Sequence, residues 1–400
     1  MADGLLVVLI ALVLAYVISE VFRHLGLPRV IGQIIAGIIL GIPLIKGLLF
    51  DEQILSTFAF ITKIGIILLF FFIGLEINLG KFKKNFKESS LIAIFNTIIP
   101  FVAGFAAGKY LFGFNVPTSL ILGISVSVSS QAISLDILEE AKMLKSRIGN
   151  LIIASGTVDD VFELLLISFI LVLFRTVSLG QPDLISLFFN IMIFVVIIIV
   201  ARFILIPFSL KIFEKDKSQS ILFMGALIIV LLMSYLSELL GISSLIGALI
   251  AGILVRQTLI TGEDRRPWRK NEISHSIHII SFGFLIPLFF VNVGLNTNLS
   301  TLSSNIPLVL AFIVIDIVGT LAGTIIGVMA SKGTMTEGFI VGWGVVPKGD
   351  TELVIATLAL TNGLITVDIF TAIITIAMFS TFIAPIIFKM MIKRHAEMTS

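Results

Sequence analysis

Apolar residues run along this chain in long blocks, and most polar residues are gathered in short connectors between the blocks. Each block is close to the roughly 20 residues that a helix needs to cross a hydrocarbon core. The blocks are continuously apolar and do not alternate, so they predict helices. They number thirteen and cover residues 4–22, 28–43, 57–75, 89–111, 117–138, 147–173, 185–210, 218–240, 242–256, 273–294, 305–330, 336–361 and 365–390.

Composition agrees with this pattern, since 58% of the 400 residues are hydrophobic and 13% are charged. An average soluble protein is about 25% charged, so this balance excludes a soluble enzyme, a nucleic-acid-binding protein and a disordered chain. The absence of cysteine from the sequence excludes a disulfide scaffold. We therefore predict an all-α polytopic membrane protein embedded in a lipid bilayer, with no enzymatic activity, no cofactor and no nucleic-acid partner.

The distribution of basic residues predicts the orientation of the spans. If the N-terminus lies outside, the inner connectors hold most of the 27 Lys and Arg residues. The outer connectors then hold only Lys46, Lys109 and Arg175. Cytoplasmic connectors are rich in Lys and Arg, so the chain is predicted to be N-out and C-in with an odd number of spans.

Two halves of the chain share a spacing of glycines. Segment 26–40 aligns with 241–255, and segment 68–79 aligns with 287–299. The matched glycines are Gly26, Gly32, Gly37 and Gly74 in the first half and Gly241, Gly247, Gly252 and Gly294 in the second. The repeat unit is six spans and the second copy begins after seven, so the pattern predicts two inverted six-helix repeats around a midplane transport site. Chance recurrence of glycines that allow close helix packing is the alternative.

Acidic residues inside the sixth block are the first candidate for chemistry. Asp159 and Asp160 lie near the middle of that block, with Thr157 and Glu163 one turn away on either side. An ionised group at this depth costs at least roughly 2.5–3.5 kcal/mol, so a purpose or a partner is expected. Carboxylate and hydroxyl oxygens suit hard cations such as Na⁺, and a proton competes for the same oxygens. A structural ion pair or hydrogen-bonded pair between helices is the alternative.

Helix-poor stretches interrupt the fifth and twelfth blocks at matching places. The fifth carries five serines and Gln131 between Ser125 and Ser134. The twelfth surrounds its charged residues with Gly342, Gly344, Pro347 and Gly349. Such stretches predict crossed discontinuous helices, which mark a transport site, whereas a merely kinked helix is the alternative.

These blocks together resemble the monovalent cation:proton antiporter superfamily, in its branch of prokaryotic sodium/proton and potassium/proton exchangers. The resemblance rests on the segments 26–43, 65–79, 127–140, 155–166, 241–255, 286–299 and 345–356. It implies a thirteen-span homodimer in which a core moves like an elevator against a dimerisation panel. The panel would be 1–84 and 215–300, the core 85–176 and 301–392, the linker helix 177–214, and the cytoplasmic tail 393–400.

The resemblance also implies roles for the acid pair. The indispensable ion ligand of the family maps to Asp160, and the acid associated with electrogenic exchange maps to Asp159. This sequence departs from the family in having Gln131 after Ser130, where Thr is usual, and Glu163 where Gly is common. It also has Asp316 in the eleventh block, where electrogenic relatives have a Lys that pairs with the first aspartate. Lys348 is the hypothetical replacement for that base.

The expected function is antiport of Na⁺ or Li⁺ against H⁺ in the cytoplasmic membrane of a prokaryote, serving pH homeostasis. Asp160 and Asp159 would bind the metal ion, with Thr157, Ser130 and Gln131 as neutral ligands. The supporting charges would be Lys348, Asp350, Glu352, Glu163 and Asp316. Three alternatives stay open: a K⁺/H⁺ antiporter of the same family, a cation channel, and a cation sensor that does not transport.

Overall fold

A computed structural model describes most of the chain. The described residues are 3–77, 86–130, 132–144, 146–156, 158–159, 162, 184–206, 208, 219–260, 272–301 and 305–399. Every regular element in these ranges is helical. The prediction of an all-helical fold is therefore confirmed for the described part of the chain.

The helices follow the predicted blocks closely. In the first half they are α1 (Gly4–His24), α2 (Arg29–Leu40), α3 (Pro43–Leu49), α4 (Glu52–Glu76), α5 (Phe86–Ala106), α6 (Val116–Ser127), α7 (Ala132–Glu140) and α8 (147–156). In the second half they are α9 (Leu184–Val200), α10 (Gln219–Leu239), α11 (Ser244–Ile260), α12 (Glu272–Ile280), α13 (Ile286–Leu295), α14 (Ile306–Ala330), α15 (Met335–Val345), α16 (Asp350–Thr361) and α17 (Val367–Thr399). Single π-helical turns extend α5 and α9 and join α12 to α13.

Several of these helices have the dimensions of membrane spans. Among the described residues, six are long and apolar enough to cross a bilayer, and a bent pair raises the number to seven. Five further apolar helices are shorter. The block predicted at 147–173 lies largely outside the described residues.

The predicted block 28–43 contains α2 and ends where a further short helix, α3, begins in the connector predicted between this block and the next. α2 and α3 meet at an angle of 81°. Gly41 caps α2, and Pro43 begins α3 because proline fits a helix start but cannot continue the preceding helix. The sequence GIP at 41–43 therefore ends one helix and starts the next in another direction.

The chain divides into two compact units. The first comprises Met1–Ala15, Pro43–Asn78 and Ser168–Asn292. Within it, α4 packs against α11 and α10 against α11. The second comprises Tyr16–Ile42, Leu79–Ile167 and Val293–Ser400. Within it, α14 packs against α5, α15 and α17, and this second unit holds the polar residues described below.

Glycines allow close helix contacts inside each unit. In the first unit Gly74 of α4 and Gly252 of α11 approach so closely that a Cβ on either would collide with the backbone of the other. In the second unit Gly294 of α13 makes the same kind of contact with Gly37 of α2. Gly26 and Gly241 both have positive φ, +74° and +79°, which favours glycine at these two turns.

Candidate functional site

Two helices of the second unit are broken at their centres, as predicted. α6 ends at Ser127 and α7 begins at Ala132, while α15 ends at Val345 and α16 begins at Asp350. The two extended connectors contact each other, because the Ser130 amide donates a hydrogen bond to the Pro347 carbonyl, 2.8 Å away. Carbonyls and amides freed at such breaks need partners other than their own helix.

Lys348 supplies partners for the broken end of α6. Its ammonium donates hydrogen bonds to the carbonyl oxygens of Val126 at 2.9 Å and Val128 at 2.6 Å. These carbonyls form the negative end of the half-helix, so a positive charge there is stabilising. The main chain of Lys348 is held in turn, since the Thr381 hydroxyl of α17 donates to its carbonyl at 2.7 Å.

The same ammonium forms a fully buried ion pair. Lys348 Nζ lies 2.8 Å from Asp316 Oδ1 of α14, and both side chains have 0% exposure. The Ser380 hydroxyl donates to the other carboxylate oxygen of Asp316. The structure therefore pairs Lys348 with Asp316, and a role for Lys348 as the counter-charge of Asp159 stays a prediction.

Asp159 occupies a second polar cluster in the same unit. It lies in the helical residues that follow α8 and is 2% exposed. The Asn96 amide of α5 donates to Asp159 Oδ2 at 3.1 Å, and the hydroxyls of Thr97 and Ser129 also hydrogen-bond to the carboxyl group. Neutral groups on α5 and on the connector after α6 thus surround one of the two predicted ion-binding acids.

The Thr97 hydroxyl suits more than one charge state of Asp159. Its oxygen lies 2.8 Å from the Ala93 carbonyl and also contacts Asp159 Oδ1. A hydroxyl has one proton to donate and can also accept. Thr97 can therefore donate to an ionised Asp159, or donate to Ala93 and accept from a protonated Asp159. The hydrogen bond between Thr97 and Asp159 can therefore form in both charge states of Asp159.

A further hydrogen bond fixes the direction of the Asn96 amide. The Thr324 hydroxyl of α14 lies 3.1 Å from Asn96 Oδ1, and Asn96 Nδ2 lies 3.3 Å from Ser129 Oγ. An amide oxygen accepts and an amide nitrogen donates, so accepting from Thr324 turns the nitrogen towards Asp159. Asn96 is 2% exposed and Thr324 is 0% exposed, which makes this link a buried one.

The structure describes only some of the other predicted site residues. Thr157, Asp160, Glu163 and Gln131 lie outside the described residues. Ser130 joins the two connectors through its backbone, and Asp350 is the first residue of α16. Glu352 lies in the first turn of α16 with 0% exposure. The described part of the candidate site thus consists of two clusters, around Asp159 and around Lys348.

Sequence reasoning missed four of the residues that surround these acids. Asn96, Thr97, Thr324 and Ser380 are uncharged polar residues inside strongly apolar spans. An isolated Asn in a span is a usable signal, because its amide needs a buried partner. Ser and Thr are weaker signals, since their hydroxyls can bond to the carbonyl one turn earlier, as Thr97 does.

Comparison with known proteins adds to this geometry. The chain is 31% identical over 383 residues to a protein named Na⁺/H⁺ antiporter from Enterococcus hirae, with 94% of each chain covered. It is 28% identical over 366 residues to the Na⁺/H⁺-K⁺ antiporter GerN of Bacillus cereus, covering 92% of this chain and 90% of that one.

A solved structure has the same fold. It is that of the sodium proton antiporter MjNhaP1 from Methanocaldococcus jannaschii, with a TM-score of 0.67, 16% identity and 97% of each chain covered. The model of the family described as "Sodium/hydrogen exchanger, transmembrane" matches residues 8–394. The chain therefore belongs to the sodium/hydrogen exchanger family of multi-pass membrane transporters, within the monovalent cation:proton antiporters.

Proposed function

We propose that this transporter exchanges Na⁺ or Li⁺ for H⁺ across the cytoplasmic membrane of a prokaryote. The observation that carries the proposal is the buried Asp159 carboxyl, surrounded by the hydroxyls of Thr97 and Ser129 and the amide of Asn96. Such a site provides oxygens for a small hard cation and also tolerates a proton. The name of the E. hirae relative supports the choice of Na⁺.

The proposed mechanism has cation and proton competing for adjacent acids. Asp160 is the primary ligand, and Asp159 assists it together with Thr157, Ser130 and Gln131. The two acids cannot both stay ionised at low cost in an apolar core, so each transport state holds a cation or a proton there. The Thr97–Asp159 hydrogen bond can form whether Asp159 is ionised or protonated, which supports such an exchange.

We also propose the thirteen-span, N-out architecture with inverted repeats. The glycine contacts described above support it, because the pairs are equivalent under the repeat. Gly74 meets Gly252 in one unit, and their counterparts Gly294 and Gly37 meet in the other. These equivalent contacts favour an internal repeat over a chance recurrence of glycines.

The division of labour is proposed to follow the panel and core of the family. The second unit comprises Tyr16–Ile42, Leu79–Ile167 and Val293–Ser400, so it overlaps the proposed core segments 85–176 and 301–392 and also includes part of the proposed panel segment 1–84. The core would move between the two membrane faces while a panel formed by 1–84 and 215–300 holds a homodimer together. Such movement would carry the site to either side of the bilayer in turn.

Exchange of K⁺ for H⁺ is the second candidate. It is favoured by the name of the B. cereus relative, which includes both Na⁺ and K⁺. Selectivity between these ions depends on ligand distances around Asp160. Na⁺/H⁺ exchange and K⁺/H⁺ exchange predict opposite results in one experiment.

That experiment uses the purified protein in liposomes with an acidic interior and a pH dye. Adding Na⁺ or Li⁺ should collapse the gradient, and the Asp160→Asn and Asp159→Asn variants should abolish or strongly reduce the collapse. Asp368→Asn, an exposed acid in the first turn of α17, is the matched control and should behave like wild type. Collapse by K⁺ alone would replace Na⁺ with K⁺, and full activity of Asp160→Asn would refute the proposed site.

A further inference from the structure

Glu352 is the buried acid that the proposed exchange does not use. Its side chain is 0% exposed, and neither carboxyl oxygen has a hydrogen-bond partner among the residues that the structure describes. A buried carboxylate without donors is costly, and such a group normally pairs with a cation or takes up a proton. The surroundings of Glu352 decide between these two outcomes.

Lys348 is the candidate base for pairing with Glu352, but its ammonium group is already in contact with three other oxygens. An ammonium group has three N–H donors. The three oxygens within 2.6–2.9 Å of Lys348 Nζ belong to Val126, Val128 and Asp316. The ammonium donates hydrogen bonds to the two carbonyls, pairs with Asp316 and gives no hydrogen bond to Glu352, although the charges of both Lys348 and Asp316 act on the Glu352 carboxyl.

In the described part of the chain, the elements that pack most closely against α16 bring no second base to this place. α16 contacts α6 and α17. α6 has no titratable residue, and α17 has none between Asp368 and Lys389. α16 itself carries only Asp350 and Glu352. Among the residues that the structure describes, the buried cluster therefore contains one base, Lys348, and two acids, of which Asp316 pairs with that base.

One further feature keeps Glu352 from being permanently neutral. It lies in the first turn of α16, where the helix dipole stabilises a negative charge. Burial favours the protonated form and the dipole favours the ionised form. The two effects act in opposite directions on a carboxyl group that has no hydrogen-bond partner among the described residues.

We infer that Glu352 is a second proton-binding site of this transporter, separate from Asp159 and adjacent to the Lys348–Asp316 ion pair. Proton uptake gives Glu352 a neutral carboxylic acid group and leaves the ion pair balanced. Proton release gives the cluster a net negative charge beside the broken ends of α6 and α16. The site binds H⁺ alone and stands independently of which cation Asp160 prefers.

The test is infrared difference spectroscopy of the purified protein during a pH titration. Wild type should show the carbonyl stretch of a protonated, dry carboxyl group that disappears as the pH rises. Glu352→Gln should lack this band and take up about one proton fewer per chain. Glu238→Gln is the matched control, because Glu238 forms a half-exposed ion pair with Lys63 at 2.8 Å, and it should keep the band.

The band should also persist in Asp159→Asn, which separates this site from the cation site. A Glu352→Gln spectrum identical to wild type at every pH would overturn the inference, as would a Glu352 band that never titrates. If Glu352→Gln does not fold, Asp316→Asn carries the test. It removes the negative charge that balances Lys348, so Glu352 should ionise as the counter-charge and the band should be lost at neutral pH, and its retention would overturn the inference. The infrared titration needs no cation gradient, so its result can be interpreted even if the protein does not exchange Na⁺ for H⁺.

Discussion

Substituting Gly323 by alanine tests whether the packing of α14 on α5 sets the geometry of the Asp159 cluster. A Cβ at Gly323 would lie 2.9 Å from the Phe95 carbonyl carbon and 3.0 Å from Asn96 Cα. The Phe95 carbonyl oxygen would be closer still, and ordinary contact begins near 3.4 Å, so the helices must separate by about 0.5–1 Å. Overpacking of this kind costs about 1–3 kcal/mol of stability.

The same displacement acts on the hydrogen bond between Thr324 and Asn96. That bond is 3.1 Å long, and a further 0.5 Å or so takes it beyond the normal range. The Asn96 amide then loses the contact that directs its nitrogen to Asp159. A hydrogen bond to a charged group contributes about 1.5–3 kcal/mol, so the apparent Na⁺ affinity should fall roughly 10- to 100-fold.

The assay is Na⁺-driven collapse of the proton gradient in liposomes over a range of Na⁺ concentrations. Gly283→Ala is the matched control, because a Cβ there meets nothing within 4 Å. Thr324→Val removes the hydroxyl at almost constant volume and should lower the affinity without the steric effect. Wild-type Na⁺ affinity in both Gly323→Ala and Thr324→Val would refute the proposed role of the Thr324–Asn96 link.

Two further predictions concern stability. Lys348→Met leaves the Asp316 carboxylate buried without its base and should cost about 3–5 kcal/mol, seen as a large drop in the melting temperature in detergent. Lys389→Met is its control, since the Lys389–Glu140 pair is exposed and should contribute at most about 1 kcal/mol. Thr334→Ala removes the hydroxyl that caps α15 and accepts from the Glu337 amide, so a loss of about 1 kcal/mol with unchanged exchange is expected. Equal melting temperatures for the two Lys variants, or lost exchange in Thr334→Ala, would contradict these assignments.

Much of the helical layout could be predicted because burial in a bilayer leaves a simple pattern. The block predicted at 305–330 is α14, Ile306–Ala330, and the break predicted between Ser125 and Ser134 lies between α6 and α7. Both predictions rest on local properties, namely apolar length and a run of serines. The short helix α3 beyond the 81° bend was not predicted, because the sequence indicates only a connector between the blocks 28–43 and 57–75.

The partners of the acids could not be predicted from the sequence. Asp316 and Lys348 are 32 positions apart, and nothing local indicates that their side chains meet at 2.8 Å. Asn96 and Asp159 are further apart, |i−j| = 63, and come together only through the packing of α5 in the second unit. The pattern of charges identified the charged residues that are costly to bury. Their pairing depends on how the helices pack, which the pattern does not encode.

The contacts of Lys348 also bear on how the protein is made. Its ammonium binds carbonyl oxygens 222 and 220 positions earlier in the chain. While the N-terminal half emerges from the ribosome, the broken end of α6 is already in the bilayer and its permanent partner has not been synthesised. The first half therefore stays incompletely assembled until then, and water or lipid headgroups donate hydrogen bonds to those carbonyls in the meantime. Final assembly of the core is then a late step that begins only once residue 348 has entered the membrane.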